Sequence, residues 1–205
     1  MSDHTPATLL GAMITGVRRS PSFLWRLEAR FKGVEFEGKA LFVGRPLISV
    51  ARGARLVIGD GVQVNSAPRV NPLACPQPSV LRAMAPGAQL ILGRRVGLSA
   101  TVLCAGGSIE IGEGTIFGSG AMVLDNDFHV PSGAWDWADG CAKTARPIQI
   151  GRGVFVGARA IVLKSVTIGD RAVVGAGAIV TKDVPAGCIA VGNPIRILSK
   201  PAVSG

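Results

Sequence analysis

The chain has 205 residues, with 22 Lys and Arg against 13 Asp and Glu and a formal net charge of +9. Its 48% hydrophobic content includes only 5% aromatic residues, 28 glycines and no tyrosine, which suits an aliphatic core with many tight corners and does not suit a β-sandwich. The positive charge attracts anions without saying which, and no basic cluster is interleaved with aromatics, so no nucleic-acid partner is expected.

Residues 1–8 read as a loose tail. From Leu9 to Lys32 the pattern predicts helix: Ser20 caps, Pro21 takes the first helical position, and Phe23, Leu27 and Phe31 recur at four-residue spacing beside Leu24. Arg19, Arg26 and Arg30 take the other face. Such a basic amphipathic helix fits either an anionic membrane surface or docking of its apolar side onto the domain that follows. The early apolar run, Leu9 to Val17, is far below the roughly 18 residues of a spanning helix, and no basic stretch precedes it, so no signal peptide is expected.

Gly33 ends the helix, and the strand-like segments Ala40 to Val43 and Leu47 to Val50 start a second kind of pattern. Further on, Ile150, Val156, Val162, Ile168, Val174 and Val180 stand one every six residues, with glycine following at 151, 157, 169 and 175. A six-residue period fits neither a 3.6-residue helix nor long alternating strands; it fits three short strands per coil, stacked as a solenoid of triangular section. The glycines, with Asp170-Arg171 and Ala176-Gly177, supply the permissive backbone of the corners. Earlier coils have the inward sets Ile58, Val64, Val70; Leu92, Leu98, Cys104; and Ile111, Phe117, Val123. The expected division is a tail and helix over 1–35, the repeat domain over 36–198 and a tail over 199–205.

Three interruptions leave the repeat: the proline-rich residues 71–88, one extra residue at Gly106-Gly107, and the stretch from Leu124 to Pro147. From Val123 to Ile150 is 27 residues, 21 more than one step of the repeat. This longest departure begins Asp125-Asn126-Asp127-Phe128-His129 and contains Trp135 and Trp137. The chain has two histidines, and the other, His4, sits in the tail, so His129 is the candidate base. Trp135 and Trp137 would share one face of an extended segment, suited to stacking on a sugar ring or to packing the loop.

The run VTIGDRAVVGAGAIVTKDVPAG, residues 166–187, resembles the bacterial hexapeptide-repeat acyltransferases, and DNDFH, residues 125–129, is similar to the form found in sugar and polysaccharide O-acetyltransferases and in the maltose and galactoside group. The resemblance covers roughly residues 90–198. It implies an all-β fold, a left-handed parallel β-helix with a short N-terminal helical segment and one protruding loop. It also implies a homotrimer that binds acetyl-CoA as co-substrate in the grooves between subunits. Along the coenzyme the matching positions are Phe155, where the family has tryptophan, Gly157, Ala158, Gly175, Ala176, Thr181, Lys182 and Arg196. On the acceptor side Ser99 stands where galactoside enzymes carry asparagine and Gly107 where they carry an acid, so their acceptor is not implied.

Acyl transfer from a thioester to a hydroxyl needs a group that takes the hydroxyl proton as oxygen attacks, and imidazole titrates near working pH. His129 fills that role without a covalent intermediate, with Asp125 or Asp127 to fix its tautomer and a backbone N–H near Gly157-Ala158 for the oxyanion. The expectation is a cytoplasmic acetyl-CoA-dependent O-acetyltransferase acting on a sugar or glycan precursor. Amino-sugar N-acetylation, antibiotic acetylation and, from another class, a non-catalytic β-helix scaffold are the alternatives. The separated cysteines, Cys75, Cys104, Cys141 and Cys188, form no CxxC pair, and a zinc-dependent γ-class carbonic anhydrase needs three histidines; no metal is expected.

Overall fold

The structure is a computed structural model describing residues 21–134 and 136–199. The expected N-terminal tail, the Leu9 to Ser20 part of the helix with His4 and Arg19, Trp135, and the C-terminal tail from Lys200 lie outside the described residues.

A helix, α1 (Ser22–Phe31), precedes the first strand, with Pro21 as its N-cap residue. Its inner side carries Ala29, fully buried, and half-buried Trp25, and the Ser22 hydroxyl accepts the Phe42 N–H at 2.9 Å. The chain then winds as a left-handed parallel β-helix of three faces. The first face stacks Val34–Phe36, Arg55–Ile58, Gln89–Leu92, Ser108–Ile111, Ile148–Ile150 and Thr167–Ile168. The second stacks Leu41–Val43, Gln63–Asn65, Gly97–Ser99, Ile116–Phe117, Phe155–Val156, Val173–Val174 and Ile189–Val191, and ends in an antiparallel strand, Arg196–Leu198. The third stacks Leu47–Val50, Val80–Ala83, Val102–Ala105, Met122–Leu124, Ile161–Leu163 and Ile179–Val180. The first strand begins at Val34, ahead of the Ala40 start read from the sequence.

The core is a column of inward side chains one coil apart. Leu90, Ile109 and Ile148 line the first face, Val64, Leu98, Phe117, Val156 and Val174 the second, and Leu81, Leu103, Val123, Val162 and Val180 the third, all buried. Two expected inward residues are displaced. Val70 is exposed in a 3-10 turn, and its place in the column belongs to Leu81, because the proline-rich excursion precedes the third-face strand of that coil. Cys104 is buried, but Leu103 is the residue in register with Leu81 and Val123. The corner at Ala100, at φ 48°, turns one residue sooner than the corner at Gly120 in the next coil. Gly106-Gly107 returns the lost residue with one more, which accounts for the net surplus of one.

The repeat glycines work differently from the expectation. Gly151, Gly157, Gly169 and Gly175 are not the positive-φ positions; Gly177 at φ 68° and Arg171 at 58° are. At Gly157 the requirement is space: a Cβ there would stand 2.5 Å from the Ala176 amide nitrogen of the next coil, below any contact that side chains tolerate.

Outward residues give the faces different characters. Leu47, Val80, Val102, Met122, Ile161 and Ile179 form one apolar row in register along the third face. The second face carries Ile116, Phe155, Val173, Ile189 and Leu198 in register. On the first face Glu110, Gln149 and Thr167 point outward, so that face is the polar one.

Candidate active site

The long loop leaves at the corner between the third and first faces, and its base is fixed by Asp125. This carboxylate is fully buried; Oδ1 accepts the Gly106 N–H at 2.7 Å and the Asn126 Nδ2 at 2.9 Å, and Oδ2 accepts the Gly107 N–H at 2.8 Å. The Asp125 carbonyl accepts the Arg146 N–H at 2.8 Å and closes the loop on itself. Two interruptions of the repeat are therefore one device, since the Gly106-Gly107 insertion supplies the amides that hold the loop's first residue. Gly106 must also lack a side chain, because a Cβ would meet the Cys141 carbonyl oxygen at 2.7 Å and its Sγ at 2.9 Å.

Asn126 starts a tight turn, its Oδ1 accepting the Phe128 N–H at 2.9 Å while the His129 N–H donates to the Asp127 carbonyl at 2.6 Å. Phe128 sits at φ 62°, a conformation that costs energy for a bulky residue and that clusters at functional sites. The strand His129–Pro131 then pairs antiparallel with Trp137–Asp139, and a helical turn, α2 (Cys141–Thr144), leads back. Gly140 N–H donates to the Phe128 carbonyl and Ser132 N–H to the Asp136 carbonyl, so the pairs between them, His129 with Asp139 and Pro131 with Trp137, are non-hydrogen-bonded ones. In such pairs opposite side chains stand on one face at their closest approach. His129, Trp137 and Asp139, with Met84, Phe128 and Cys141, line an open cavity of about 480 Å³. Asp139 Oδ1 accepts the Cys141 N–H at 2.9 Å, which fixes that carboxylate.

The acids proposed from sequence to orient His129 are engaged elsewhere. Asp125 is consumed by the loop base, and Asp127 pairs with Lys164 while its N–H donates to Thr144 Oγ1 at 2.8 Å. Asp139 is the acid opposite the histidine, ten positions along in sequence, and only the hairpin register brings it there. Its sequence signal was the Ser132-Gly133 turn between two short extended segments, with Gly133 at φ 71°. Trp137 is 67% exposed at the cavity's edge; Trp135 lies outside the described residues.

Ser99 lies at the corner between the second and third faces. It accepts from Asn71 Nδ2 at 3.2 Å, and Ser119 Oγ donates to the same asparagine's Oδ1. Asn71 is buried and is contributed by the proline-rich excursion, from outside the coil. This cluster ties the excursion to the coil and stands at the edge of the third face opposite to the His129 loop.

The expected coenzyme positions divide likewise. Gly157 and Ala158 follow the second-face strand Phe155–Val156, Gly175 and Ala176 follow the next, and the corner continues to Val191, paired with exposed Arg196. Phe155 is exposed on the same face, between Ile116 and Val173. Thr181 and Lys182, also exposed, follow Ile179–Val180 at the other edge, the one from which the His129 loop departs two coils earlier. A third-face strand of four residues separates the two edges by about 13 Å. The cysteine near the cavity mouth and its buried neighbour are not set up as nucleophiles: burial pushes the Cys104 and Cys141 thiols up, and the Asp125 charge adds to both.

Residues 147–182 match the profile of the family described as hexapeptide repeat of succinyl-transferase. No curated protein sequence matches the chain. Among solved structures, AntD, an N-acyltransferase from Bacillus cereus in complex with dTDP and 3-hydroxybutyryl-CoA, is 20% identical with a TM-score of 0.61, over 85% of this chain and 87% of that one. A hexapeptide-repeat containing acetyltransferase from Vibrio cholerae O1 biovar eltor, complexed with acetyl coenzyme A, is 20% identical with a TM-score of 0.54, over 98% of this chain and 92% of that one.

Proposed function

We propose that this chain, whose repeat is the hexapeptide repeat and whose fold is the left-handed β-helix of such acyltransferases, transfers an acetyl group from acetyl-CoA to a hydroxyl of a sugar or glycan precursor. The observation that carries the reading is the pairing of His129 with Asp139 on the wall of an open cavity, at the start of a loop rigidly pinned by Asp125. In this scheme the imidazole takes the acceptor hydroxyl's proton as that oxygen attacks the thioester carbonyl, and later returns it to the leaving thiolate. Asp139 accepts from the other ring nitrogen, holds one tautomer and stabilises the imidazolium that forms. Asp125 and Asp127 position the loop.

The corner residues Gly157, Ala158, Gly175 and Ala176 offer a strip of backbone and small side chains along which a pantetheine arm lies flat, with Phe155 beside it and Arg196 at its end for a bidentate phosphate contact. These positions sit on the opposite edge of the third face from His129, so one chain alone does not enclose the donor. Two apolar faces and one polar face give each chain two neighbours in a closed ring. A homotrimer, with the histidine edge of one chain facing the corner strip of the next, is the arrangement that completes the site.

The test is thiol release from acetyl-CoA and a longer acyl-CoA, with hydroxyl and amino sugars as acceptors, for wild type, His129→Ala and Asp139→Asn. Coenzyme A affinity is measured in parallel by calorimetry. The His129 variant should lose turnover by roughly 10² to 10⁴ with coenzyme affinity unchanged, and the Asp139 variant should lose turnover in the same direction by less. Absence of coenzyme A binding by wild type, or full turnover by the His129 variant, refutes the reading.

A further inference from the structure

We infer that α1 is a membrane-surface helix that seats the first-coil end of the solenoid on an anionic lipid bilayer. Sequence alone left two fates for the apolar stripe of this helix, docking onto the domain or facing lipid, and the structure separates them. The docked side is Ser22, Trp25 and Ala29, packed over the first coil. The stripe itself faces outward: Phe23 is 63% exposed, Leu27 49% and Phe31 84%, with Leu24 exposed beside them. Covering the open end of a solenoid accounts for the inner side of such a helix. It does not account for three large apolar side chains, one turn apart, in solvent.

The charges that the helix leaves without an ion pair among the described residues, Arg26 and Arg30, are of one sign. Arg26 and Arg30, four residues apart, each follow a stripe residue by three, Phe23 and Leu27, and with these two, Phe36 and Gly38 they line a groove of about 210 Å³ along the helix. Neither arginine makes an ion pair among the described residues, and the Arg30 guanidinium lies over the Phe36 ring at 5.6 Å. The helix has one carboxylate, Glu28, and both its oxygens are taken by the Arg45 fork at 2.8 and 2.9 Å, with Lys32 at 2.7 Å. Glu35 is likewise bound by Arg55, and the charge of Glu37 acts on that same arginine. In the sequence Arg18 and Arg19 precede the helix. Apolar residues that enter the acyl boundary, flanked by arginines whose stems follow them and whose heads stay at the phosphates, are the composition of an interfacial helix. No helix among the described residues is long and apolar enough to cross a membrane, so α1 would lie on the surface.

The experiment is co-sedimentation of the full chain with phosphatidylcholine vesicles with and without phosphatidylglycerol, across a salt series. Wild type is compared with Leu27→Glu/Phe31→Glu and with Arg26→Gln/Arg30→Gln, and light scattering gives each protein's mass. The proposal expects wild type to bind the phosphatidylglycerol vesicles, more weakly as salt rises. The charge variant should partition on the order of 30-fold less, at about fivefold per arginine, the apolar variant should stay in the supernatant, and both should keep the wild-type mass. Wild type remaining in the supernatant at low salt overturns it, as when the chain's own residues 1–20 cover the stripe. Variants that bind like wild type overturn it too, and a changed mass in either variant would reassign the stripe to contact between copies. The arginine variant keeps the test informative if the apolar one does not fold.

Discussion

Replacing Asp125 by alanine separates a positioning acid from one that works on the histidine. The side chain accepts three hydrogen bonds in a fully buried position, from the amides of Gly106 and Gly107 and from Asn126. Gly107 is half-exposed and can recover water, so two donors, Gly106 N–H and Asn126 Nδ2, lose their partner outright. At about 1.5 kcal/mol for each bond to a charged acceptor, the loss is about 3 kcal/mol. That loss is local: it frees the base of the loop and not the column of aliphatic side chains. Hydrogen exchange resolved by peptide should show the segment from Phe128 to Thr144 opening by about two orders of magnitude more often, as 3 kcal/mol requires, while the coils after Ile150 keep their protection. Turnover should fall with it. An Asp125→Ala protein with unchanged exchange and lost turnover would refute the reasoning, because the carboxylate would then be acting on the imidazole.

The register of the third face predicts that Leu103→Ala costs about 2–5 kcal/mol while Cys104→Ala costs under about 1 kcal/mol, because the smaller side chain stands outside the column; urea midpoints of the two variants decide, and the reverse order would mean that the strand is read one residue out. Gly157→Ala should lower the melting temperature more than Gly177→Ala, since the first puts a Cβ 2.5 Å from backbone of the next coil while the second meets nothing within 4 Å and pays only for its positive φ, about 1–2 kcal/mol. Glu28 is held down to about 2 by its hydrogen bonds to Arg45 and Lys32, so its contribution to the docking of α1 is present above the ordinary carboxylate value of 4.5 and is lost as pH falls from there toward 2. Fluorescence of Trp25, which the Arg45 guanidinium overlies at 5.8 Å, should report that loss; salt should weaken it, and Glu28→Gln should remove the pH dependence.

From Ile150 to Val180 the sequence by itself determined the coil, the inward residues and the place where the loop departs, because a six-residue period is a local rule that each strand and corner repeats. It also isolated His129, since no other histidine falls in the repeat domain. The tertiary structure alone decided the rest, wherever an insertion broke the period. Within residues 71–88 the column resumes at Leu81, on the strand Val80–Ala83, and not at Val70, and after Ala100 at Leu103 and not at Cys104, because register is restored by hydrogen bonds to neighbouring coils and not by counting along the chain. Asp139 reaches His129 only through a hairpin register, and Asp125 is spent on two amides 18 and 19 residues before it. The helix pattern showed an apolar stripe but not its direction. Ser22 turns inward to accept the Phe42 N–H and Trp25 and Ala29 pack on the core beside it, which leaves Phe23, Leu27 and Phe31 outside.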